Sequence, residues 1–484
     1  MNFRMIGKFL SQILLLEAFF MIPAMLICLN DGELDVAACF LITIGTILVI
    51  AGTLYLFGRK ANTSFFAREG MICVSGCWIA MSLLGCLPFY LSGQIPSYID
   101  ALFEIVSGFT TTGSSILSDV EALSRGLLFW RSFSHWIGGM GVLVLLLVFI
   151  SAKNSNGFTL HLLRAESPGP SVGKLVPRMK KTATLLYVLY LVLTVLDFLF
   201  LVFGGMPVFD AVCTAVGTAG TGGFGIKNDS MASYSPYLQN VTTIFMLLFG
   251  VNFSCYYLLL IGNIRSFFKD EELKFYFFTV VSSIALIALN IRNIYATTEE
   301  TVRHSAFQVA TIITTSGFAT TDFDLWPSSS KAILLCLMVI GACAGSTGGG
   351  MKCVRIILLL KSLKRSLRQT LYPNRVEVIQ LNHSPVSEKV ISSTNTYLIA
   401  YGGFVILSYL LVSFFDGHPP VTSFTAVLAC FNNIGPGLEM VGPTQNFACF
   451  SVWSKLVLIM DMLAGRLEIL PILLLFSPST WKRT

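Results

Sequence analysis

Four segments of the chain combine glycine with small polar residues in a layout that suits cation coordination by backbone carbonyls. They read DALFEIVSGFTTTGSS (100–115), DAVCTAVGTAGTGGFG (210–225), HSAFQVATIITTSGFAT (304–320) and TSFTAVLACFNNIGPG (422–437). Each has a polar residue at a predicted helix start and a glycine thirteen positions later: Asp100 and Gly113, Asp210 and Gly223, His304 and Gly317, Thr422 and Gly435. Aligned carbonyls can replace an ion's hydration shell, and glycine tolerates the left-handed conformations that such turns require.

These segments lie between apolar runs, so the order of crossing, short helix, glycine turn and crossing occurs four times. One such turn would be an ordinary loop, but four in matching positions indicate diverged duplication. Non-helical backbone at membrane depth survives only where protein surrounds it or where it lines water. Four short helices entering from one side would direct their partially negative C-terminal ends toward the centre, which favours a cation. The repeat therefore predicts a cation pore.

The composition predicts an all-α protein embedded in lipid. Of 484 residues 54% are apolar and 12% are charged, against about 25% charged in soluble domains. Ten runs reach membrane-spanning length: 9–29, 36–57, 71–92, 126–150, 182–204, 238–262, 275–294, 331–360, 394–415 and 452–477. The first run is longer than the core of a signal peptide, and no small-residue cleavage site follows it, so we expect a membrane anchor.

The distribution of charge sets the predicted orientation. With both termini in the cytoplasm, 24 of the 32 Lys and Arg residues lie at cytoplasmic connections, as the positive-inside rule requires. Topology thus explains the basic residues, and nucleic-acid binding is excluded. The outer connections are acidic, which fits either a solvated face or an entrance that attracts cations.

The sequence does not favour an enzyme or a cofactor-binding protein. The twelve cysteines are scattered without a CxxC motif, and the five histidines lack metal-ligand spacing. A membrane enzyme acting on a lipid-linked substrate would need converging acids near the interface. His161 and Glu166 are close in sequence, but no further acid or base is placed to join them.

Two further features lie inside apolar runs. Arg466 is flanked by Asp461 and Glu468, and a charge at mid-membrane must be buried and partnered. It is either a structural ion pair or a charge facing the pore. The run Gly345–Ser346–Thr347–Gly348–Gly349–Gly350 should break the eighth crossing, since each glycine costs about 1 kcal/mol relative to alanine in a helix.

At these positions the chain resembles the TrkH family of bacterial potassium transporters, within the Trk/Ktr/HKT superfamily. The resemblance extends beyond the four segments and covers essentially the whole chain. It includes SHWIGGMGVLVL (134–145), LLRAESPGP (162–170), GACAGSTGGGMK (341–352), LYPNRV (371–376) and MLAGRLEILPILLLFSP (462–478).

The resemblance implies an architecture of four M1–pore-loop–M2 repeats around a central pore. A two-helix extension at 1–57 precedes repeats at 71–150, 180–263, 273–361 and 391–478. It further implies potassium as the transported ion, held by backbone carbonyls of Thr111, Thr112, Gly113, Thr221, Gly222, Gly223, Thr315, Ser316, Gly317, Asn433, Ile434 and Gly435. The register of the second set could shift by one residue because Gly220 also lies there, and the fourth set departs most from the pattern.

The resemblance also implies how uptake across the bacterial inner membrane is controlled. The stretch 345–350 corresponds to an intramembrane gating loop, and Arg466 would face the pore below the filter. The implied partners are a second copy of the chain and a cytoplasmic nucleotide-binding TrkA-type regulator. Glycine at the key position of all four segments favours potassium over sodium, since serine at the first of these accompanies sodium preference in some plant members.

A coupled mode of transport stays open alongside the channel. Symport of potassium with a proton or with sodium would require carboxylates at membrane depth. Asp197, Asp461 and Glu468 are the deepest candidates for coupling.

Overall fold

The computed structural model describes residues 2–59, 67–139, 141, 179–374 and 377–481. The first half of the described chain contains α1 (Phe3–Asn30), α2 (Leu34–Gly58), α3 (Ala67–Gly85), α4 (Leu87–Leu91), α5 (Tyr98–Phe109), α6 (Arg125–Gly139), α7 (Met179–Phe203), α8 (Val208–Gly220), α9 (Pro236–Phe249) and α10 (Phe253–Leu260). The second half contains α11 (Ile264–Lys269), α12 (Glu271–Ile291), α13 (Thr298–Ile313), α14 (Ser328–Ile340), α15 (Cys353–Leu371), β1 (Gln380–Leu381), β2 (Ser384–Pro385), α16 (Glu388–Asp416), α17 (Pro420–Phe431), α18 (Val452–Arg466), α19 (Leu470–Phe476) and α20 (Pro478–Trp481).

Six spans in the described chain are long and apolar enough to cross a membrane. They are Phe3–Asn30, Leu34–Gly58, Arg68–Leu91, Thr184–Phe203, Glu271–Ile291 and Glu388–Asp416. These correspond to the first, second, third, fifth, seventh and ninth predicted crossings, which are confirmed. Each predicted repeat therefore begins with a span of membrane-crossing length, and α1 and α2 pack against each other before the first repeat.

In the second, third and fourth repeats the described second crossing is bent or broken. The sixth predicted crossing, 238–262, passes the length and hydropathy criteria only when α9 and α10 are taken together, and the two helices are bent by 88° relative to each other. The eighth breaks as predicted, over the wider stretch between Ile340 and Cys353. The tenth breaks between α18 and α19, at Glu468 and Ile469 with φ of 55° and 67°. The predicted continuation of the fourth crossing over 142–150 and the basic connection up to 178 lie outside the described residues.

Four short helices, α5, α8, α13 and α17, enter the protein without crossing it. They begin earlier than predicted, at Tyr98, Val208, Thr298 and Pro420. His304 lies inside α13, because the side chain of Thr297 and that of Glu300 form a capping box at its start. Asp100 lies in the first turn of α5, where its charge is favourable beside the helix N-terminus.

The packing of these helices closes into a ring. The second helix of every repeat contacts the short helix of its own repeat and that of the next repeat. The pairs are α6 with α5 and α8, α9 with α8 and α13, α14 with α13 and α17, and α18 with α17 and α5. The fourth repeat thus contacts the first, and the four short helices surround one axis.

Candidate functional site

The turns after the four short helices have the same backbone conformation. We call them the triplets: Thr111–Thr112–Gly113, Thr221–Gly222–Gly223, Thr315–Ser316–Gly317 and Asn433–Ile434–Gly435. The first residue of each has a left-handed φ, between 53° and 58°, and so does the closing glycine, between 67° and 105°. A left-handed conformation at a residue other than glycine costs about 1–3 kcal/mol and is concentrated at functional sites. Because this conformation recurs in all four turns, the triplets are candidates for a functional site.

Backbone hydrogen bonds hold the triplets in one register. The N–H of the first residue donates to the carbonyl three residues earlier, over 3.0–3.3 Å, and the N–H of the second to the carbonyl five residues earlier, over 2.8–3.0 Å. The second triplet follows this rule from Thr221 and Gly222, and Gly220 ends α8. Its geometry therefore aligns Gly223 with the closing glycines of the other three triplets.

The closing glycines lie against the next triplet around the axis. A β-carbon on Gly317 would approach the carbonyl oxygen of Ile434 to 2.6 Å, and one on Gly435 would approach that of Thr112 to 3.0 Å. The corresponding atoms for Gly113 and Gly223 would collide with the carbonyl oxygens of Gly222 and Ser316, respectively. Each closing glycine therefore faces the middle carbonyl of its neighbour, and a side chain there would disturb it.

A cavity of about 130 Å³ opens on the side of the ring where the connections after the triplets lie. All four closing glycines line it, together with residues of the connections that follow each triplet. The four triplets thus meet at a single mouth.

Two neighbouring asparagines, Asn432 just before the fourth triplet and Asn433 within it, are hydrogen bonded through their side chains. The side-chain amide of Asn433 donates to Thr112 Oγ1 over 2.9 Å and to the carbonyl of Met462 over 3.0 Å. The side chain of Asn432 is hydrogen bonded to Tyr401. The bond from Asn433 to Thr112 connects the last triplet to the first.

A buried ion pair supports the first triplet and was missed by the sequence analysis. Arg131 Nε lies 2.5 Å from Glu104 Oε1, and both side chains are almost fully buried. Glu104 also accepts hydrogen bonds from Ser115 and from the N–H of Ile116, just beyond the triplet. Breaking a buried ion pair costs about 3–5 kcal/mol. The pair therefore stabilises the position of Ser115 and Ile116, which follow the first triplet.

The glycine-rich break in the eighth crossing lies against the triplets. The N–H of Gly349 donates to Thr315 Oγ1 over 2.6 Å, and that of Gly350 to the carbonyl of Asn432 over 3.1 Å. The hydroxyl of Thr347 donates to the carbonyl of Phe249 over 3.3 Å. Polar groups of the break are therefore satisfied by its own repeat and by the two neighbouring repeats, as irregular backbone inside a membrane requires.

Arg466 is bonded to backbone carbonyls of two other repeats. It donates to the carbonyl of Thr347 over 3.0 Å and to that of Gly139 over 2.7 Å, and it also contacts the carbonyl of Gly138. The expected acidic partners are engaged elsewhere. Glu468 pairs with Arg355 and Asp461 accepts a hydrogen bond from Ser408. The described contacts of Arg466 are thus to these carbonyls, whereas those of the two acids are to Arg355 and Ser408.

The third carboxylate considered for coupling, Asp197, is fully buried in α7. It belongs to the first helix of a repeat rather than to a triplet. The structure accordingly does not bring Asp197, Asp461 and Glu468 together into one described cluster.

A second missed residue, Glu272, holds both ends of the break. Its Oε1 accepts hydrogen bonds from the N–H of Ala344 over 2.7 Å and from that of Val354 over 3.1 Å. The side chain is 6% exposed. Its neighbour Glu271 pairs with Lys361 on α15. The only sequence signal was a pair of acids at the predicted cytoplasmic start of a crossing, which positive-inside topology disfavours.

Comparison with known proteins decides the family. The TrkH family model, described as a cation transport protein, matches residues 39–483. The chain belongs to the TrkH family. The Trk system potassium uptake proteins TrkH of Escherichia coli strain K12 and of Salmonella typhimurium are 35% and 34% identical to it, over the full length of both chains in each comparison.

The fold agrees with this assignment. A crystal structure of the potassium transporter TrkH from Vibrio parahaemolyticus matches the chain with a TM-score of 0.89 and 31% identity, covering all of both chains. The protein is thus a helical membrane transporter of the Trk potassium uptake family, with four repeats around a pore and two extra N-terminal helices. It is a transporter and not an enzyme.

Proposed function

We propose that this TrkH family member takes up potassium across the bacterial inner membrane through the ring of triplets. The observation that supports this most directly is the closed order of the ring, in which every closing glycine faces the middle carbonyl of the next triplet. Twelve residues, three in each triplet, would supply backbone carbonyls to the ion. Such carbonyls replace water around potassium, and the negative ends of four helices favour a cation at the centre.

The break at 345–350 and Arg466 would form the gate of this pathway. Three groups hold the break against the triplets: Thr315 and Asn432 accept from its N–H groups, and Arg466 donates to the carbonyl of Thr347. The positive charge of Arg466 would raise the barrier to a passing cation. Moving α15, which begins three residues after Gly350, would pull the break away from the ring.

The regulator would act from the cytoplasmic side, where both termini are placed by the charge distribution. We propose a homodimer whose chains each bind a TrkA-type nucleotide-binding subunit. The end of α15 carries Lys361, Arg365 and Arg368, which pair with acids of α12, α16 and the intervening connection. A partner that contacts this basic segment could therefore transmit movement to the break.

Growth at limiting potassium tests the proposed function. A bacterium lacking its own potassium uptake systems should grow when it produces this chain together with the regulator, and more slowly with the chain alone. Absence of rescue at normal membrane levels of the protein would contradict potassium uptake.

Uptake into vesicles under imposed ion gradients distinguishes a channel from a symporter. Potassium entry driven by the potassium gradient alone supports the channel. A strict requirement for an inward proton or sodium gradient supports the coupled mode through the same pore.

A further inference from the structure

The middle residue of the second triplet is the one that lacks a side chain. The other three triplets carry Thr112, Ser316 and Ile434 at this position, whereas the second carries Gly222. The left-handed conformation explains why the third residue of every triplet is glycine. It does not explain the glycine at the second position of the second triplet. Something other than the shared backbone conformation must therefore exclude a side chain at residue 222.

The imidazole of His135 fills the missing space. A β-carbon on Gly222 would collide with the ring atoms Nδ1 and Cγ of His135 and would lie 2.5 Å from Cε1. His135 comes from α6, in the preceding repeat. Its own backbone also lies against Gly220, where an added β-carbon would meet the carbonyl group of His135. The second triplet and the end of α8 are thus fitted around one residue of the first repeat.

The imidazole of His135 has contacts with both the first and the second repeat. His135 Nδ1 lies 2.8 Å from the carbonyl oxygen of Gly108. Because a carbonyl oxygen can only accept, Nδ1 carries the proton of this bond. The ring centroid lies 4.2 Å from that of Phe224, which follows the second triplet, and the side chain is fully buried. The ring therefore bridges the end of α5 and the second triplet.

Arg131, one turn earlier on α6, supports the same strand. Its guanidinium lies 3.6 Å from the ring centroid of Phe224, and it donates to the carbonyl of Gly225 over 2.8 Å. The same side chain is paired with Glu104 beneath the first triplet. One face of α6 therefore contacts both the short helix α5 before the first triplet and the second triplet with the residues that follow it.

We propose that His135 is a positioning residue for ion selectivity, which supplies from the first repeat the packing that a side chain at residue 222 would otherwise provide. This inference rests on the proposed role of the triplets as the selectivity filter. It predicts that residues 135 and 222 are interdependent. A side chain at residue 222 is tolerated only when the imidazole of His135 is absent. Removal of that imidazole is in turn compensated by a side chain at residue 222.

A double-mutant cycle tests this dependence. His135→Ala, Gly222→Ser and the double variant are compared with the parent for the potassium-to-sodium permeability ratio in vesicles and for the apparent Tm of the purified protein. Each single variant should lower the ratio by at least about threefold, and the double variant should recover most of the loss, since residues in contact are not additive. Losses that multiply in the double variant, in both measurements, would overturn the proposal.

Three further variants separate the possible causes. His135→Phe keeps the ring and should retain more selectivity than His135→Asn, which keeps a donor toward Gly108 but leaves a void. His304→Ala, a matched histidine substitution on α13, should leave the ratio unchanged. Gly113→Ser tests the filter itself. If Gly113→Ser lowers the ratio while residues 135 and 222 behave independently, the role of His135 fails and the filter stands. If Gly113→Ser has no effect, the filter assignment fails.

Discussion

The guanidinium of Arg466 donates a hydrogen bond of 3.0 Å to the carbonyl oxygen of Thr347, in the middle of the glycine-rich break. The same guanidinium donates to the carbonyl of Gly139 at the end of α6. A single side chain of the fourth repeat therefore joins the break of the third repeat to α6 of the first repeat. The contact brings a positively charged side chain against the glycine-rich break.

Replacement of Arg466 by alanine should raise potassium flux. Unit charges roughly 10 Å apart interact by ~1.7 kcal/mol at an effective dielectric constant of about 20, so removing this barrier raises the flux by roughly 17-fold. The measurement is potassium flux per amount of purified, correctly assembled protein. A variant that is poorly assembled and never more active than the parent would show that Arg466 is structural.

Shortening the break should produce a pore that stays open without its regulator. Deletion of residues 346–349 removes the segment bonded to Thr315, Phe249 and Arg466. The expected result is a potassium leak in the absence of the regulator, with selectivity retained because the triplets are intact. Thr347→Ala, which loses one hydroxyl but keeps the length of the break, serves as the control and should remain regulated. A folded deletion variant that stays closed would place the gate elsewhere.

Replacement of Glu272 by alanine should also loosen the gate. The change leaves the N–H groups of Ala344 and Val354 without their acceptor, at about 1–3 kcal/mol for each buried group. We expect a lower Tm together with regulator-independent leak, whereas Glu272→Gln retains an acceptor oxygen and should lose less. Glu388→Gln removes an exposed ion pair with Arg365, worth about 0–1 kcal/mol, and should change neither property. A lower Tm without any potassium leak would show that Glu272 contributes to stability and not to gating.

The first helices of the repeats could be predicted because lipid imposes a length of apolar sequence on them. The second helices obey a different constraint. Helix α9 ends at Gly250, where its own hydrogen bonds stop. The carbonyl of Gly250 instead accepts from the N–H of Cys343, more than ninety residues away in sequence. Nothing near Gly250 indicates that partner. The eighth crossing broke as predicted because its glycines act locally.

The site was predictable where glycine marks it. The closing glycines were identified because a left-handed turn favours glycine, but the left-handed Thr111, Thr221 and Thr315 were not foreseen, because threonine does not indicate such a conformation. Glu272 and His135 were overlooked because each is a single polar residue whose partners lie in other elements. Their role depends on the ring of repeats, which sequence spacing does not specify.

The most direct test of potassium selectivity by the triplets is the potassium-to-sodium permeability ratio of the parent and of Gly113→Ser, measured in vesicles from reversal potentials. A serine β-carbon would press on the carbonyl of Gly222, and a loss of ~1.4 kcal/mol in discrimination lowers the ratio about tenfold. Gly402→Ser, which has open space around it in α16, is the matched control. The account predicts a potassium-selective parent and control, and a variant that assembles normally but discriminates poorly. Equal ratios in the parent and in Gly113→Ser would contradict it.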